Sequence, residues 1–373
     1  MICKEIHYNN FRNIENETLK LSPGVNVIHG ENAQGKSNML EGIYFFARGR
    51  SFRASKDKEL IRFGESEASL SLDFTRDESE RTTTLTAIIP SQGKKVITRN
   101  GAKLSSLKEM IGTFRAVLFC PAHLNLVDGG PSLRRSFLDI ALSQLYPGYI
   151  DNLSQYNRAL IQRTALLRDA AAGKRVDSYM WEIYADQLAK SGARIAAKRF
   201  DYVKSLSESV SDFFAEMTSG KETPALTYKS DAIDGDMTFD DIITEGEKLL
   251  FDSITASLEK DIKYSVNSRG IHRDDIAVRI NQKDARLYAS QGQRRSLALS
   301  MKLAEGEISK KATGEFPVFL LDDVLSELDS NRRSYILSCL QNRQIIVTSC
   351  ENDHFKGDNV KFITASGGKI IEQ

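Results

Sequence analysis

The sequence predicts an α/β fold whose core is assembled from both ends of the chain, with a mainly helical lobe inserted between them. Near the start, the apolar run Val25-Asn26-Val27-Ile28-His29 leads into Gly30-Glu31-Asn32-Ala33-Gln34-Gly35-Lys36-Ser37. Near the end, Val318-Phe319-Leu320-Leu321-Asp322-Asp323 is an apolar run closing on two carboxylates. Between them, from residue 131 to about residue 264, apolar side chains recur at helical spacing.

Taken in order, residues 25–29 form a buried strand and residues 37–47 the helix that follows the glycine-rich loop. Residues 69–74, 82–89 and 95–99 alternate as strands of an antiparallel sheet, with Arg99-Asn100-Gly101-Ala102 as a hairpin turn. The inserted lobe begins with Phe137, Ile140, Ala141 and Leu145 on one helix face and Leu160, Ile161, Ala165 and Leu166 on another. It continues through residues 180–217, with a connecting turn at Ala171-Ala172-Gly173-Lys174 and a strand-like piece at Leu226-Thr227-Tyr228. Its helices read as too short and interrupted for a sustained coiled coil. After residue 279 strand and helix alternate again: a helix over 296–307, a strand over 318–321, a helix over 330–340 and a strand over 344–348. The expected division is a split core of residues 1–130 and 265–373 around an inserted lobe of residues 131–264.

A chain of 373 residues suits about two domains. Its formal net charge of +1 gives no global basic field, so any nucleic-acid surface must be local. Cys3, Cys120, Cys339 and Cys350 are scattered without zinc-ligand spacing and read as reduced thiols. No apolar run approaches the ~18 residues of a membrane span, and the first residues lack a signal peptide's apolar core. A cytoplasmic location is expected.

The stretch from Gly30 to Ser37 fits the phosphate-loop pattern, and a strand before it with a helix after it is the context that pattern requires. The glycines let backbone amides and a helix N-terminus meet an anion. Lys36 reaches the β and γ phosphates of ATP, and Ser37 offers its hydroxyl to Mg2+. Asp322, at a strand end, is the second Mg2+ residue, and Asp323 is placed to act as general base toward water.

Ser290-Gln291-Gly292-Gln293-Arg294-Arg295 precedes the 296–307 helix. On these residues alone a glycine turn capping a helix accounts for the pattern. With the other two motifs it resembles the signature of ABC-type ATPases, which implies a P-loop ATPase head with a Rossmann-like core and an antiparallel β subdomain. It also implies an ATP-dependent homodimer in which each signature faces the partner's nucleotide. Ser326-Glu327-Leu328-Asp329 fits the D-loop of that superfamily. Thr348-Ser349-Cys350 stands where many members carry a switch histidine, and His354 is offset from it.

Along nearly its whole length the chain resembles the RecF family. The matching blocks are Asn10-Phe11-Arg12-Asn13, Gly30 to Ser37, Ser51-Phe52-Arg53, Arg134-Arg135-Ser136-Phe137-Leu138-Asp139, Gly270-Ile271-His272-Arg273-Asp274-Asp275, Ala289-Ser290-Gln291-Gly292-Gln293 and Leu320-Leu321-Asp322-Asp323. There are departures: Pro121-Ala122-His123-Leu124 stands for Pro-Glu-Asp-Leu at the counterpart of the Q-loop, Ile271 for proline, and Arg294 for glutamine. The resemblance adds Arg12 to a nucleotide set of residues 30–37 and Ser290, Gln291, Gly292 and Gln293. It implies an ATP-gated clamp on double-stranded DNA near gap junctions that helps load RecA with RecO and RecR. Slow, DNA-stimulated ATP hydrolysis would act as a switch, in a nucleoid-associated protein.

Arg48, Arg50, Arg53, Lys56, Lys58 and Arg62 cluster after the first helix. Arg48, Arg50, Arg53 and Lys56 are the candidate DNA contacts, since such residues neutralise phosphates without reading sequence. A solvated basic face accounts for the composition equally. The competing function is a nucleotide-gated protein adaptor or defence ATPase head without direct DNA binding, favoured by the near-neutral charge and the large helical lobe.

Overall fold

The computed structural model of the chain describes residues 1–76, 81–218, 220–233, 237–350, 355 and 360–372. The first strands are β1 (Ile2–Phe11), β2 (Ile14–Lys20) and β3 (Val25–His29), followed by helix α1 (Lys36–Arg48). Then come β4 (Glu67–Thr75), β5 (Thr83–Pro90), β6 (Val96–Arg99), β7 (Ala102–Lys103) and β8 (Ala116–Phe119). A helical region follows: α2 (Pro131–Leu145), α3 (Pro147–Ala171) and α4 (Ser178–Thr218), then β9 (Pro224–Lys229), α5 (Phe239–Ala256) and α6 (Leu258–Tyr264). After it lie β10 (Asp275–Ile280), β11 (Lys283–Asp284), α7 (Ala285–Tyr288) and α8 (Gln291–Thr313). The chain closes with β12 (Val318–Asp322), α9 (Ser330–Cys339), β13 (Ile345–Ser349), β14 (Val360–Ser366) and β15 (Lys369–Glu372).

Two compact units result, one of residues 1–125 with 301–373 and one of residues 126–300. In the first, a sheet of order β15-β14-β3-β13-β12-β8 runs parallel except for its β15 edge. All five residues of β12 are buried, as a strand covered on both faces requires. Helix α8 approaches it closely, because a Cβ at Gly306 would lie 2.4 Å from the Phe319 ring. A second sheet of order β2-β1-β4-β5-β6-β7 is antiparallel. Its Asn100-Gly101 turn has both residues at positive φ, 50° and 81°, the hairpin expected there. Helix α1 packs against this sheet through Gly42, whose added Cβ would lie 2.5 Å from the Tyr8 ring, while Tyr8 Oη donates to Met39 O at 2.7 Å.

The second unit is helical around a small sheet of order β11-β10-β9. Its helices are longer than the sequence suggests: α3 runs 25 residues and α4 runs 41 without a break. Helix α4 stays unbroken because Ala185, Leu188, Ala189, Ile195, Ala196, Tyr202, Val203 and Leu206 keep one continuous buried stripe. Residues 265–300, assigned by the sequence to the core, pack in this unit. The cause is strand pairing, since β10 joins β9 from Asp275↔Lys229 to Ile280↔Pro224. Ion pairing fixes the same arrangement: buried Arg134 grips Asp275 through Nε and Nη2, at 2.7 and 2.8 Å. Arg199 pairs with Asp139 at 2.8 Å and Arg163 with Asp261 at 2.8 Å. Among the described residues no helix is long and apolar enough to cross a membrane.

Candidate nucleotide-binding site

The parallel strands β3, β12 and β13 end together, and the loops leaving them form the site, as in open α/β sheets generally. Gly30, Ala33 and Gly35 lie at φ 153°, 65° and 101°, the kind of backbone alternation that builds an anion-binding nest of amides. A Cβ on Gly30 would stand 2.3 Å from Ala365 O, and one on Gly35 would stand 2.8 Å from Asn13 Oδ1. The loop is braced from the other end of the chain. Gly367 N–H donates to Gln34 Oε1 at 2.5 Å, Gly368 N–H to Gln34 O at 3.0 Å, and the Cys350 thiol to Asn32 Oδ1 at 3.0 Å.

Lys36 is buried, with its ammonium donating to Gly30 O at 2.5 Å, Glu31 O at 3.0 Å and Cys350 Sγ at 3.2 Å. A phosphate oxygen is a stronger acceptor for that ammonium than these neutral partners. The adjoining cavity has a volume of about 350 Å³, walled by residues 32–38 together with Asn13, Arg53, Asp323 and Thr348. Gly30, Glu31 and Asp322 are not among the residues that line it.

Asp322 is buried, and burial raises its carboxyl above the usual carboxylate range, opposed by hydrogen bonds from Ser37 and Thr348 and by the charge of Arg53. The Ser37 hydroxyl and this carboxylate are thus adjacent hard oxygen donors, which fits Mg2+. No cluster of three or more His, Cys, Asp or Glu side chains able to hold a metal exists among the described residues. Thr348 Oγ1 donates to Asp322 Oδ1 at 3.1 Å and accepts the Asp323 amide at 2.9 Å. Asp323 is exposed at φ 51° and lines the cavity.

Arg12 stands one residue from the cavity wall. Its guanidinium is bound to both oxygens of fully buried Glu41, at 2.9 and 2.7 Å, and to Glu59 O at 2.8 Å. Glu41 also accepts the Ser51 hydroxyl, whose oxygen takes the amides of Arg53 and Ala54 at 2.8 and 2.7 Å. This network fixes the loop after α1 so that Arg53 reaches the cavity, where its Nη1 donates to Asn38 Oδ1 at 2.9 Å. Asn38 in turn donates to Asn13 Oδ1 at 2.8 Å. Of the four candidate DNA contacts, Arg53 therefore sits at this cavity, Arg48 is half-buried in the last turn of α1, and Arg50 and Lys56 are exposed.

Ser290, Gln291, Gly292 and Gln293 lie in the second unit. The helix starts five residues earlier than the sequence suggests, at Gln291, so the motif is itself the first helical turn. Ser290 and Gln293 form a reciprocal cap: Ser290 N–H donates to Gln293 Oε1 at 2.6 Å and Gln293 N–H to Ser290 Oγ at 3.2 Å. Gln293 Nε2 also donates to Glu222. Asp329 caps α9, accepting Arg332 N–H at 3.0 Å. At the Q-loop counterpart His123 Nδ1 accepts the Cys120 amide at 3.3 Å, and burial pushes the imidazole down to about 3. His354 lies outside the described residues. Thr348, Asn38 and Asn13 were not identified as site residues from the sequence. The pairing Asp322↔Thr348 across β12 and β13 would have found the first.

Residues 2–369 match the family described as the RecF/RecN/SMC N terminal domain. A DNA replication and repair protein RecF of Clostridium perfringens is 40% identical over 373 residues, covering 99% of each chain. Among solved structures, that of the recombination mediator protein RecF-ATPrS in the RecFOR pathway superposes with a TM-score of 0.91 at 37% identity, covering 100% of this chain and 98% of the other. An Smc head bound to the C-winged helix domain of ScpA shares the fold, with a TM-score of 0.57 at 15% identity.

Proposed function

The chain belongs to the RecF family, and from that membership we propose that it is an ATP-dependent DNA-binding protein of recombinational repair and replication restart. In this reading it is an ATP-gated dimeric clamp on double-stranded DNA near single-strand gaps, acting with RecR and RecO to load RecA in the cytoplasm. The observation that carries the proposal is the division of the site: loop, lysine and both aspartates share one unit, whereas the capped Ser290–Gln293 turn belongs to the other. The cap holds the Ser290 and Gln293 amides, and the start of α8 carries the positive end of the helix dipole, which attracts an anion; in this reading a nucleotide of a second protomer supplies it.

Residues 30–37 cradle the phosphates, and Lys36 exchanges its carbonyl partners for phosphate oxygens. Ser37 and Asp322 would hold Mg2+, which would supply charge neutralisation toward the phosphates. Arg53 adds positive charge on the same wall. Asp323, exposed at the cavity, orients a water and accepts its proton. Thr348 holds the Asp322 carboxylate and the Asp323 backbone amide through one hydroxyl. Slow hydrolysis then resets the clamp, and exposed Arg50 and Lys56 contribute phosphate contacts of the sequence-independent kind.

The test is DNA affinity on duplex, single-stranded and gapped substrates with ATP, ADP and no nucleotide, at stated salt. Tighter binding to duplex-containing substrates with ATP alone is expected. Affinity indifferent to nucleotide on all three would refute the clamp.

A further inference from the structure

The second unit carries a cavity of about 650 Å³ between the start of α4 and the middle of α5. It has no counterpart in the nucleotide chemistry. Tyr179 and Ile183 of α4, with Ile243 and Phe251 of α5, form its apolar floor. Tyr179 is 64% and Ile243 45% exposed, unusual values for side chains whose burial is worth on the order of 1.5–3 kcal/mol each. The spacing, four residues on α4 and eight on α5, makes each contribution one helix face, so the two helices define a groove of the kind that accepts a third helix.

The rim is acidic. Glu182, Asp186 and Glu247 line the groove against Lys248 alone. Asp186 is paired with Lys190 at 2.9 Å, whereas Glu182 and Glu247 form no ion pair among the described residues. Helix α5 carries Asp240, Asp241, Glu245, Glu247 and Asp252 against a single lysine. Such a surface repels a polyphosphate backbone and attracts basic side chains.

We propose that this groove is the docking site for an amphipathic helix of a protein partner, with apolar anchors for the floor and lysine or arginine flanks for the rim. Anchors at helical spacing fill the space over Ile183, Ile243 and Phe251, while the flanks meet Glu182 and Glu247. The site is independent of the ATP-gated clamp, so failure of either reading leaves the other standing.

The test uses the full chain and a designed, fluorescently labelled Leu/Lys amphipathic helical peptide, with a Leu/Glu counterpart of the same spacing. Binding is followed by anisotropy, and circular dichroism with ATP binding checks that variants remain folded. The Leu/Lys peptide should bind more tightly than Leu/Glu, and Ile243→Asp should weaken it by about tenfold or more. The double variant Glu182→Lys/Glu247→Lys should invert the preference between the peptides. The proposal is overturned if the Leu/Lys peptide does not bind, if both peptides bind alike, or if neither variant changes the affinity. Displacement of the peptide by duplex DNA would likewise overturn it, as would loss of self-association in Ile243→Asp, which would make the occupant a second copy.

Discussion

The guanidinium of Arg12 takes both carboxylate oxygens of Glu41, at 2.9 and 2.7 Å, and so serves the nucleotide site through the loop it anchors. Glu41 has no exposed surface. Arg12→Ala leaves a buried carboxylate without its cation, a change that costs on the order of 3–5 kcal/mol. Urea unfolding should show that loss, and pairing the change with Glu41→Gln should recover part of it. ATP affinity should fall with Arg12→Ala and return partly in the double variant. A direct phosphate contact by Arg12 would give no such recovery.

Thr348 bridges the two aspartates, so Thr348→Val removes a donor to Asp322 and an acceptor from the Asp323 amide while keeping the side-chain shape. The expected loss of stability is about 1–3 kcal/mol for groups left unsatisfied. ATP turnover at saturating nucleotide should drop, with little change in nucleotide affinity measured by titration. Equal losses in both would assign Thr348 to binding instead.

Two histidines and one aspartate with large shifts contribute to the acid response. His272 accepts Tyr156 Oη at 2.7 Å and lies 3.0 Å from Asn267 O through Nε2, and burial lowers it to about 4. His123 is lowered further, to about 3. Both are neutral in the fold, so an unfolded chain takes their protons first. Their stabilisation is complete above the ordinary histidine value of about 6.5 and is lost as pH falls through that value toward their folded ones.

Asp274 works in the opposite sense, because burial raises it to about 6. Its contribution is present below the ordinary aspartate value and disappears as pH rises through about 6. His272→Gln should flatten the acid loss of stability, each histidine giving at most about 1.4 kcal/mol per pH unit. Asp274→Asn should steepen that loss. Urea midpoints across this pH range check both signs.

The sequence made the glycine-rich loop, the β12 aspartates and the β4–β6 strands of the antiparallel sheet legible, because each is local in the chain, whereas the pairing of β1 with β4 joins distant segments. Strand β3 begins and ends where the apolar run does. Asn13, Asn38 and Thr348 were not legible, because their roles arise from register and loop closure: Thr348 faces Asp322 only through the parallel pairing of β12 and β13. The same holds for residues 265–300. Their motif reads as part of the core, yet Asp275 is claimed by Arg134 and by strand β9, both distant in sequence. Arg53 illustrates the converse, since composition placed it in a basic cluster while the Ser51 and Glu41 network turned it to the cavity beside the glycine-rich loop.

The proposed division of the ATP site between two protomers is tested most directly by mass measurement on mixed variants. Lys36→Met removes nucleotide binding but keeps the Ser290–Gln293 turn, and Ser290→Arg blocks that turn but keeps the phosphate loop. With ATP and Mg2+, light scattering should report a dimer for the unmodified chain, a monomer for each variant alone, and dimers again when the two are mixed. Monomers in every sample, the unmodified chain included, would contradict a site shared between two copies.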